Sequence, residues 1–391
     1  MIQQRTITAA EMRGINRSAV LEIIRREGPI SRTTIARRLE ISLPTVMRIA
    51  EALIEEGFVR LHGETEWSGG RRRPLLEFNA DGYVVLGVDM GGTKLYGAIS
   101  EIGGNIIAEA VREREGASGE ECYELLVRLI DELLGHPGLR GRHVRGIGVG
   151  APGITNHREG VVKWAYALNW KDFPLKARLH KRYRLPITVD NDVNLAALGE
   201  LWFGVGQNTQ NMILITIGAG IGAGIIIDGT LYRGSNEASG EIGHMIPGRE
   251  FLGRSYVDFG VLESIASATG ILQAAHKAQP GAADLSLDDV FSAARQGTRW
   301  ARGIIDEAAD YLAIGIASLA VLFDPELIVL GGPMTPYADM LAESILRRLQ
   351  GTIPSPPKLE VSNLSLRATV MGAVVTVLHN TSNFYVVHKL S

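Results

Sequence analysis

The sequence predicts an α/β protein that carries a small winged three-helix unit at its N-terminal end. Three observations lead there. Strand and helix patterns alternate from about residue 81 onward, which is the mark of α/β architecture. Three β-branched runs in that region each end in a glycine turn. Ahead of them, two short helices and a capped third helix lead into a hairpin with a basic tip. At 391 residues the chain exceeds one ordinary core, so two or three domains are expected.

Residues 16–27 have helical spacing, with Val20, Ile23 and Ile24 on one face, and Gly28-Pro29 ends that helix. Ser31 caps a second short helix, Arg32 to Leu39, and Ser42 caps a third in which Pro44 is tolerated in the first turn. Val46, Ile49, Ala50, Leu53 and Ile54 then form one apolar stripe. The opposite face offers Leu43, Thr45, Met47 and Arg48 near the start of that helix. This is the pattern of a helix-turn-helix, whose second helix reaches base edges from its N-terminal end. Gly57 to Phe78 reads as a β-hairpin tipped by Ser68-Gly-Gly-Arg-Arg-Arg-Pro74, a wing suited to phosphates or the minor groove. Ser42, Pro44, Thr45, Arg48, Arg71, Arg72 and Arg73 are therefore the candidate DNA-contacting residues.

Charge supports looking there without deciding it. Residues 1–80 hold 13 Arg, no Lys and 10 acidic residues, a balance of +3 in a chain whose net charge is −3. Hydrophobic residues make up 46% and charged residues 21%, the profile of a globular protein. No apolar run approaches the ~18 residues that cross a bilayer, and the first residues lack an apolar signal region, so a cytoplasmic protein without membrane partners is expected. The single cysteine, Cys122, excludes an intrachain disulfide and a Cys-rich metal site; its helical run suggests inert packing.

Val84-Val-Leu-Gly-Val-Asp-Met-Gly-Gly-Thr-Lys94 is a buried strand entering a glycine turn, and Leu95 to Ile99 resumes as a strand. A Rossmann or Walker loop needs a helix after its glycines, so neither fits. A strand-turn-strand hairpin with an Asp at its mouth is how actin-like sugar kinases approach nucleotide phosphates: the glycines let backbone amides close on phosphate oxygens, and the carboxylate holds Mg²⁺. A second hairpin spans Ile213 to Ile227, and a third turn ends Leu327-Ile-Val-Leu-Gly-Gly332. Between them, Asp190-Asn-Asp-Val-Asn194 crowds polar groups at a strand end, just before a helix expected to start near Leu195. Glu241 and His244 stand three residues apart, and Glu263 follows. Carboxylates and amides that fork onto vicinal hydroxyls are what a pyranose site requires.

Together these residues resemble the ROK family of repressors and sugar kinases, over about residues 12–380. Ser31-Arg-Thr-Thr-Ile-Ala, Ser42-Leu-Pro-Thr-Val and Gly69-Gly-Arg-Arg-Arg-Pro74 resemble the reader and wing of its N-acetylglucosamine- and xylose-repressor-like branch. Asp89-Met-Gly-Gly-Thr-Lys94 matches the family's phosphate motif, Gly150-Ala-Pro-Gly153 its sugar-side loop, Asn191-Asp-Val-Asn194 its catalytic motif, and Gly240 to His244 with Leu262-Glu263 its remaining sugar ligands. The resemblance implies a winged helix-turn-helix at 1–80 joined to a two-lobed actin-like, ribonuclease H-like sugar-kinase fold. The lobes would span 81–190, completed by about 371–391, and 191–370. It implies that Asn191, Asp192, Glu241, His244 and Glu263 hold a sugar and that Asp192 is the base in a kinase. Asp89, Gly91, Gly92 and Thr93, with Gly218 and Gly220, would face Mg-ATP.

The chain departs from the family in three places. Arg254, Tyr256 and Val261 stand where many members carry zinc cysteines, so structural zinc is not expected and Tyr256, Phe259 and Val261 are expected to pack that loop. Gly218-Ala-Gly220 lacks the hydroxyl of the usual Gly-Thr-Gly, one hydrogen bond to phosphate worth ~1–3 kcal/mol. Ala167 replaces an Asn in Tyr166-Ala-Leu-Asn-Trp170, which bears on the sugar accepted. The implied function is a repressor whose operator affinity changes with a bound sugar or sugar phosphate, no cofactor being required. An ATP-dependent sugar kinase with a DNA-binding arm is the alternative. A homodimer or homotetramer is expected, the choice between them being open, and the identity of the sugar is open too.

Overall fold

A computed structural model describes residues 9–66, 73–253, 259–281 and 285–382. The N-terminal unit is built from α1 (Ala9–Glu27), α2 (Arg32–Arg38), α3 (Leu43–Glu55) and the antiparallel strands β1 (Val59–Glu66) and β2 (Arg73–Phe78). The Ser31 hydroxyl accepts the Thr34 N–H and the Ser42 hydroxyl that of Thr45, so both caps form as the sequence predicts. Val46, Ile49, Ala50 and Leu53 are buried, and Ile54 packs against them. The first helix starts at Ala9, seven residues before the expected Asn16.

The rest of the chain forms two five-stranded sheets of one design. The first lobe holds β3 (Val84–Met90), β4 (Lys94–Glu101), β5 (Ile106–Glu113), α4 (Gly119–Leu134), β6 (Val144–Ala151), β7 (Ile154–Asn156), β8 (Val161–Ala165), β9 (Trp170–Phe173), α5 (Leu175–Tyr183) and β10 (Ile187–Asn191). The second holds α6 (Asp192–Phe203), β11 (Met212–Ile217), β12 (Ile221–Ile227), β13 (Thr230–Tyr232), α7 (Val261–Ala266), α8 (Ala268–Ala278), α9 (Leu287–Arg295), α10 (Arg299–Phe323), β14 (Leu327–Gly331), α11 (Ala338–Leu349) and β15 (Lys358–Val361); α12 (Ala368–Ser382) closes the described chain. The sheet orders are β5-β4-β3-β6-β10 and β13-β12-β11-β14-β15, with β7-β8-β9 a small sheet of its own. In each large sheet an antiparallel meander of three strands is extended by two parallel ones. The expected α/β class and the paired ribonuclease H-like lobes are thus present.

Each sheet buries one face against outer helices and the other against an inner helix. Val84, Leu86, Val88 and Met90 pack on α4, whereas Ile213, Ile215 and Ile217 join a core with α10. On the inner faces, α12 lies against β3 and β6, and α6 lies against β11 and β12. Glycines allow the first approach: a Cβ on Gly87 or Gly148 would press into Val370 or Ala373 of α12. The two inner helices lie back to back without a side-chain layer where they cross. A Cβ on Gly372 would collide with the Leu195 carbonyl, and one on Gly199 with that of Ala368.

The N-terminal unit is docked on the far ends of these same helices. Val20, Leu21 and Ile24 of α1 share one buried cluster with Val374, Val377 and Leu378 of α12 and with Val85 and Ile102. Arg25 stacks 4.8 Å over the Trp202 ring near the end of α6, and Arg26 donates to the Gln207 carbonyl at 3.2 Å. Arg145 lies over Phe58 and Tyr83, tying the wing's base to the first lobe.

Candidate functional site

The cleft lies where the three glycine turns meet. The tip between β3 and β4 faces the tip between β11 and β12, so that a Cβ on Gly92 would stand 3.0 Å from Ala219 Cβ. Gly218 in turn abuts Pro333, 3.1 Å from where its Cβ would be, and Gly332 has a φ of +83° that glycine adopts without strain. Gly91, Gly92 and Thr93 therefore share one end of the cleft with Gly218 and Gly220. Thr93 is exposed, its carbonyl accepting the Arg114 N–H at 2.8 Å.

Asp89 is the penultimate residue of β3, beside this cluster, and Asp192 opens α6 opposite it. The helix starts three residues before the Leu195 expected from the sequence, because the Asn191 side chain caps it: its Oδ1 accepts the Asn194 N–H at 2.9 Å. The Asn191 amide also donates to the Gly153 carbonyl at 3.0 Å, pinning the Gly150–Gly153 loop to the helix start. Burial pushes the Asp192 carboxyl up to about 6, and the Glu241 charge adds to the rise. Burial raises Asp89 well above the ordinary carboxylate range, helped by repulsion from Asp192. Thr369, at the start of α12, hydrogen-bonds Asp89 and donates to the Asp192 carbonyl at 3.4 Å. No local pattern in the sequence marks Thr369, which reaches the cleft from 177 residues away.

Glu263 is the most firmly held of the predicted sugar ligands. Its Oε1 accepts the Gly260 N–H at 2.7 Å and its Oε2 that of Ile221 at 3.0 Å. A Cβ on Gly220 or on Gly243 would stand 2.6 Å from that second oxygen, so both glycines make room for the carboxylate. Glu241 and His244 flank one short turn at the open side of the cleft, both exposed. Desolvation by the walls pushes the Glu241 carboxyl up, and the neighbouring Glu263 charge adds to it. Tyr166 and Ala167 are exposed on the turn before Trp170, which is itself buried with its indole N–H on the Gly119 carbonyl.

The remaining predicted residues fall as follows. Ser42, Pro44 and Arg48 are exposed at the start of α3, with Thr45 half-buried beside them. Arg73 opens β2, while Arg71 and Arg72 lie outside the described residues, as do Arg254 and Tyr256. Val261 is buried at the start of α7 and Phe259 half-buried before it. Among the described residues there is no cluster of three or more His, Cys, Asp or Glu side chains that could hold a metal ion. Cys122 is buried, and burial raises its thiol above the ordinary range. No described helix is long and apolar enough to cross a membrane.

Residues 85–380 match the model of the ROK family, and residues 15–60 match a winged helix-turn-helix DNA-binding model. The chain belongs to the ROK family. A xylose repressor of Caldicellulosiruptor bescii is 32% identical over 95% of this chain and 98% of its own length. A glucokinase of Halalkalibacterium halodurans is 37% identical over 73% of this chain and 92% of its own, and thus lacks a counterpart to about a quarter of it. Among solved structures, a ROK family transcriptional regulator, homolog of the E. coli MLC protein, superposes over 95% of this chain and 98% of its own with a TM-score of 0.82 at 26% identity. A ROK family glucokinase from Streptomyces griseus, solved in complex with glucose and AMPPNP, covers 75% of this chain and 98% of its own with a TM-score of 0.65 at 29% identity. Of these four, the repressor and the transcriptional regulator match nearly the full length, and the two glucokinases match about three quarters of it.

Proposed function

We propose that this chain is a sugar-responsive transcriptional repressor that reads operator DNA through α3 and its wing and senses a sugar in the cleft. One observation carries the reading. Both α6 and α12 begin beside Asp192 and Thr369 in the cleft, and both end beneath the reader, at Trp202 and Leu378. A change in lobe angle on sugar binding therefore reaches the reader through two continuous helices, not through a flexible linker.

Asn191, Asp192, Glu241, His244 and Glu263 are the sugar ligands in this reading, and Ser42, Pro44, Thr45 and Arg48 with Arg71 to Arg73 are the DNA contacts. The lobes divide as the two sheets do, at about residue 191, with α12 returning to the first. A two-fold homodimer in the cytoplasm would place two readers on half-sites one helical turn apart or a multiple of it. The names of the relatives make xylose and glucose the first effectors to try, and a sugar phosphate the next.

The test is fluorescence anisotropy on a labelled operator duplex with and without sugar. The bound sugar should change the operator Kd by roughly 5–150-fold, and Arg48→Ala should weaken binding by about 1–3 kcal/mol if it reads a base edge. Trp202→Ala should keep DNA and sugar binding while shrinking the effect of one on the other. Unchanged operator affinity at saturating sugar would sink the sensor reading.

A second reading is an ATP-dependent sugar kinase, favoured by the meeting of three glycine turns beside Asp89. In it the turns would hold the phosphates, Asp89 the Mg²⁺, and Asp192 would take the proton from the sugar hydroxyl. A coupled assay in which turnover vanishes with Asp192→Ala would establish it, and no turnover with pentoses or hexoses would retire it.

A further inference from the structure

One buried ion pair crosses from lobe to lobe beside the cleft. Asp190 is the penultimate residue of β10 in the first lobe, and Arg233 follows β13 in the second. The guanidinium donates both arms to the carboxylate, at 2.8 and 2.6 Å. The Asp190 side chain is 5% exposed and that of Arg233 19%. The oxygen that takes one of those arms, Asp190 Oδ1, also accepts the backbone N–H of Asn191 at 2.8 Å. A second contact runs alongside: Glu237, 3.5 Å from Arg233, bonds the His157 ring nitrogen at 3.0 Å in the loop after β7.

We propose that Arg233 is a positioning residue for the sugar site: it fixes Asn191 through Asp190, and does so only in the lobe register that closes the ion pair. The proposal rests on the reading of the cleft as a sugar site.

The geometry supports more than a structural clamp. A guanidinium fork matches a carboxylate in one plane and one distance, so it constrains direction as well as separation. Buried ion pairs add little net stability over apolar packing, because desolvation offsets the attraction. What such a pair supplies is orientation, and here the oriented group sits one residue from a sugar ligand. Asn191 spends its side chain on the Asn194 N–H and on the Gly153 carbonyl, so its setting depends on its backbone being held. Rotation of one lobe against the other would bend both arms of the fork at once, release Asp190, and loosen the capped start of α6. Sugar affinity and lobe register are then two readings of one contact.

The test uses the full chain. Arg233→Lys keeps the charge and loses the fork, while the double variant Arg233→Gln with Asp190→Asn keeps an uncharged hydrogen bond and leaves no buried charge without a partner. Calorimetric titration with xylose and with glucose is read beside thermal unfolding without sugar. Both variants should raise the sugar Kd about tenfold or more, and adding Asp190→Asn to Arg233→Lys should cost less than the sum of the two single changes. Unfolding midpoints lowered with Kd unchanged would reduce the contact to a structural clamp and overturn the proposal, as would strictly additive effects on Kd. Should Arg233→Lys fail to fold, the double variant answers the same question. A folded wild type that binds operator but neither sugar would overturn the sugar-site reading and this proposal with it, whereas a wild type that binds sugar isolates the role of Arg233.

Discussion

The hairpins β3–β4 and β11–β12 occupy equivalent places in two sheets of one design. Both clear room for an inner helix, Gly87 for Val370 of α12 and Gly222 and Gly224 for Val193 and Ala197 of α6, but their tips are held differently. At the first tip, a Cβ on Gly92 would meet only Ala219 across the cleft, and one on Gly91 would meet the Lys94 carbonyl of the same turn. At the second, Gly220 makes room for the Glu263 carboxylate. The first tip is closed by its own turn and faces the cleft, whereas the second is braced by the Glu263 carboxylate from α7. A glycine motif alone does not distinguish these, since both need a missing Cβ. The neighbour that would be struck does.

The sharpest way to break this contrast is at Glu263. In Glu263→Gln one of the two backbone N–H groups, of Ile221 or Gly260, would face an amide donor, so unfolding free energy should fall by about 3 kcal/mol in urea melts. Little change would mean that the second hairpin is not braced from within. Gly220→Ala comes next. The added methyl meets a carboxylate already tied by two hydrogen bonds and unable to swing aside, and overpacking of this kind costs about 1–3 kcal/mol.

Asp192→Asn should act in the opposite direction. Burial raises this carboxyl to about 6 from its ordinary 3.8, so its ionisation opposes folding. Stability held below pH 4 is lost as pH rises through about 6, and the amide removes that loss. The variant should gain about 1–2 kcal/mol at pH 7.5, where the carboxyl is partly open to the cleft, and nothing at pH 4. Denaturant melts at the two pH values check the sign, and the variant should lose sugar affinity at both. The smallest effect belongs to Gly92→Ala, below about 1 kcal/mol on stability, since its methyl meets only another methyl. An equal loss at Gly92 and Gly220 would erase the difference between the hairpins.

Much of this was legible in the sequence because it is local. The caps at Ser31 and Ser42, the stripe from Val46 to Leu53 and the three glycine turns each declare themselves within a dozen residues. What the sequence did not disclose is what long-range contact decides. The start of α6 lies three residues before the expected Leu195 because Asn191, which the sequence shows only as one polar residue at a strand end, is the helix cap. Thr369 and Arg233 carry no motif, and they matter only because folding brings them to Asp192 and Asp190. The 1–80 unit reads as separate in sequence, yet its α1 shares a core with α12 at the other end of the chain.

The crossing of α6 and α12 has a mechanical consequence. Where side chains interdigitate between helices, small repackings let one helix creep along the other. Here backbone rests on backbone at two points, Gly372 against Leu195 and Gly199 against Ala368, with no side chain between them there. The pair is a rigid strut about 20 Å long, at ~1.5 Å per residue. A strut of that kind cannot absorb a tilt along its length. On the proposed reading, it carries to the reader the angle that a bound sugar sets at the cleft.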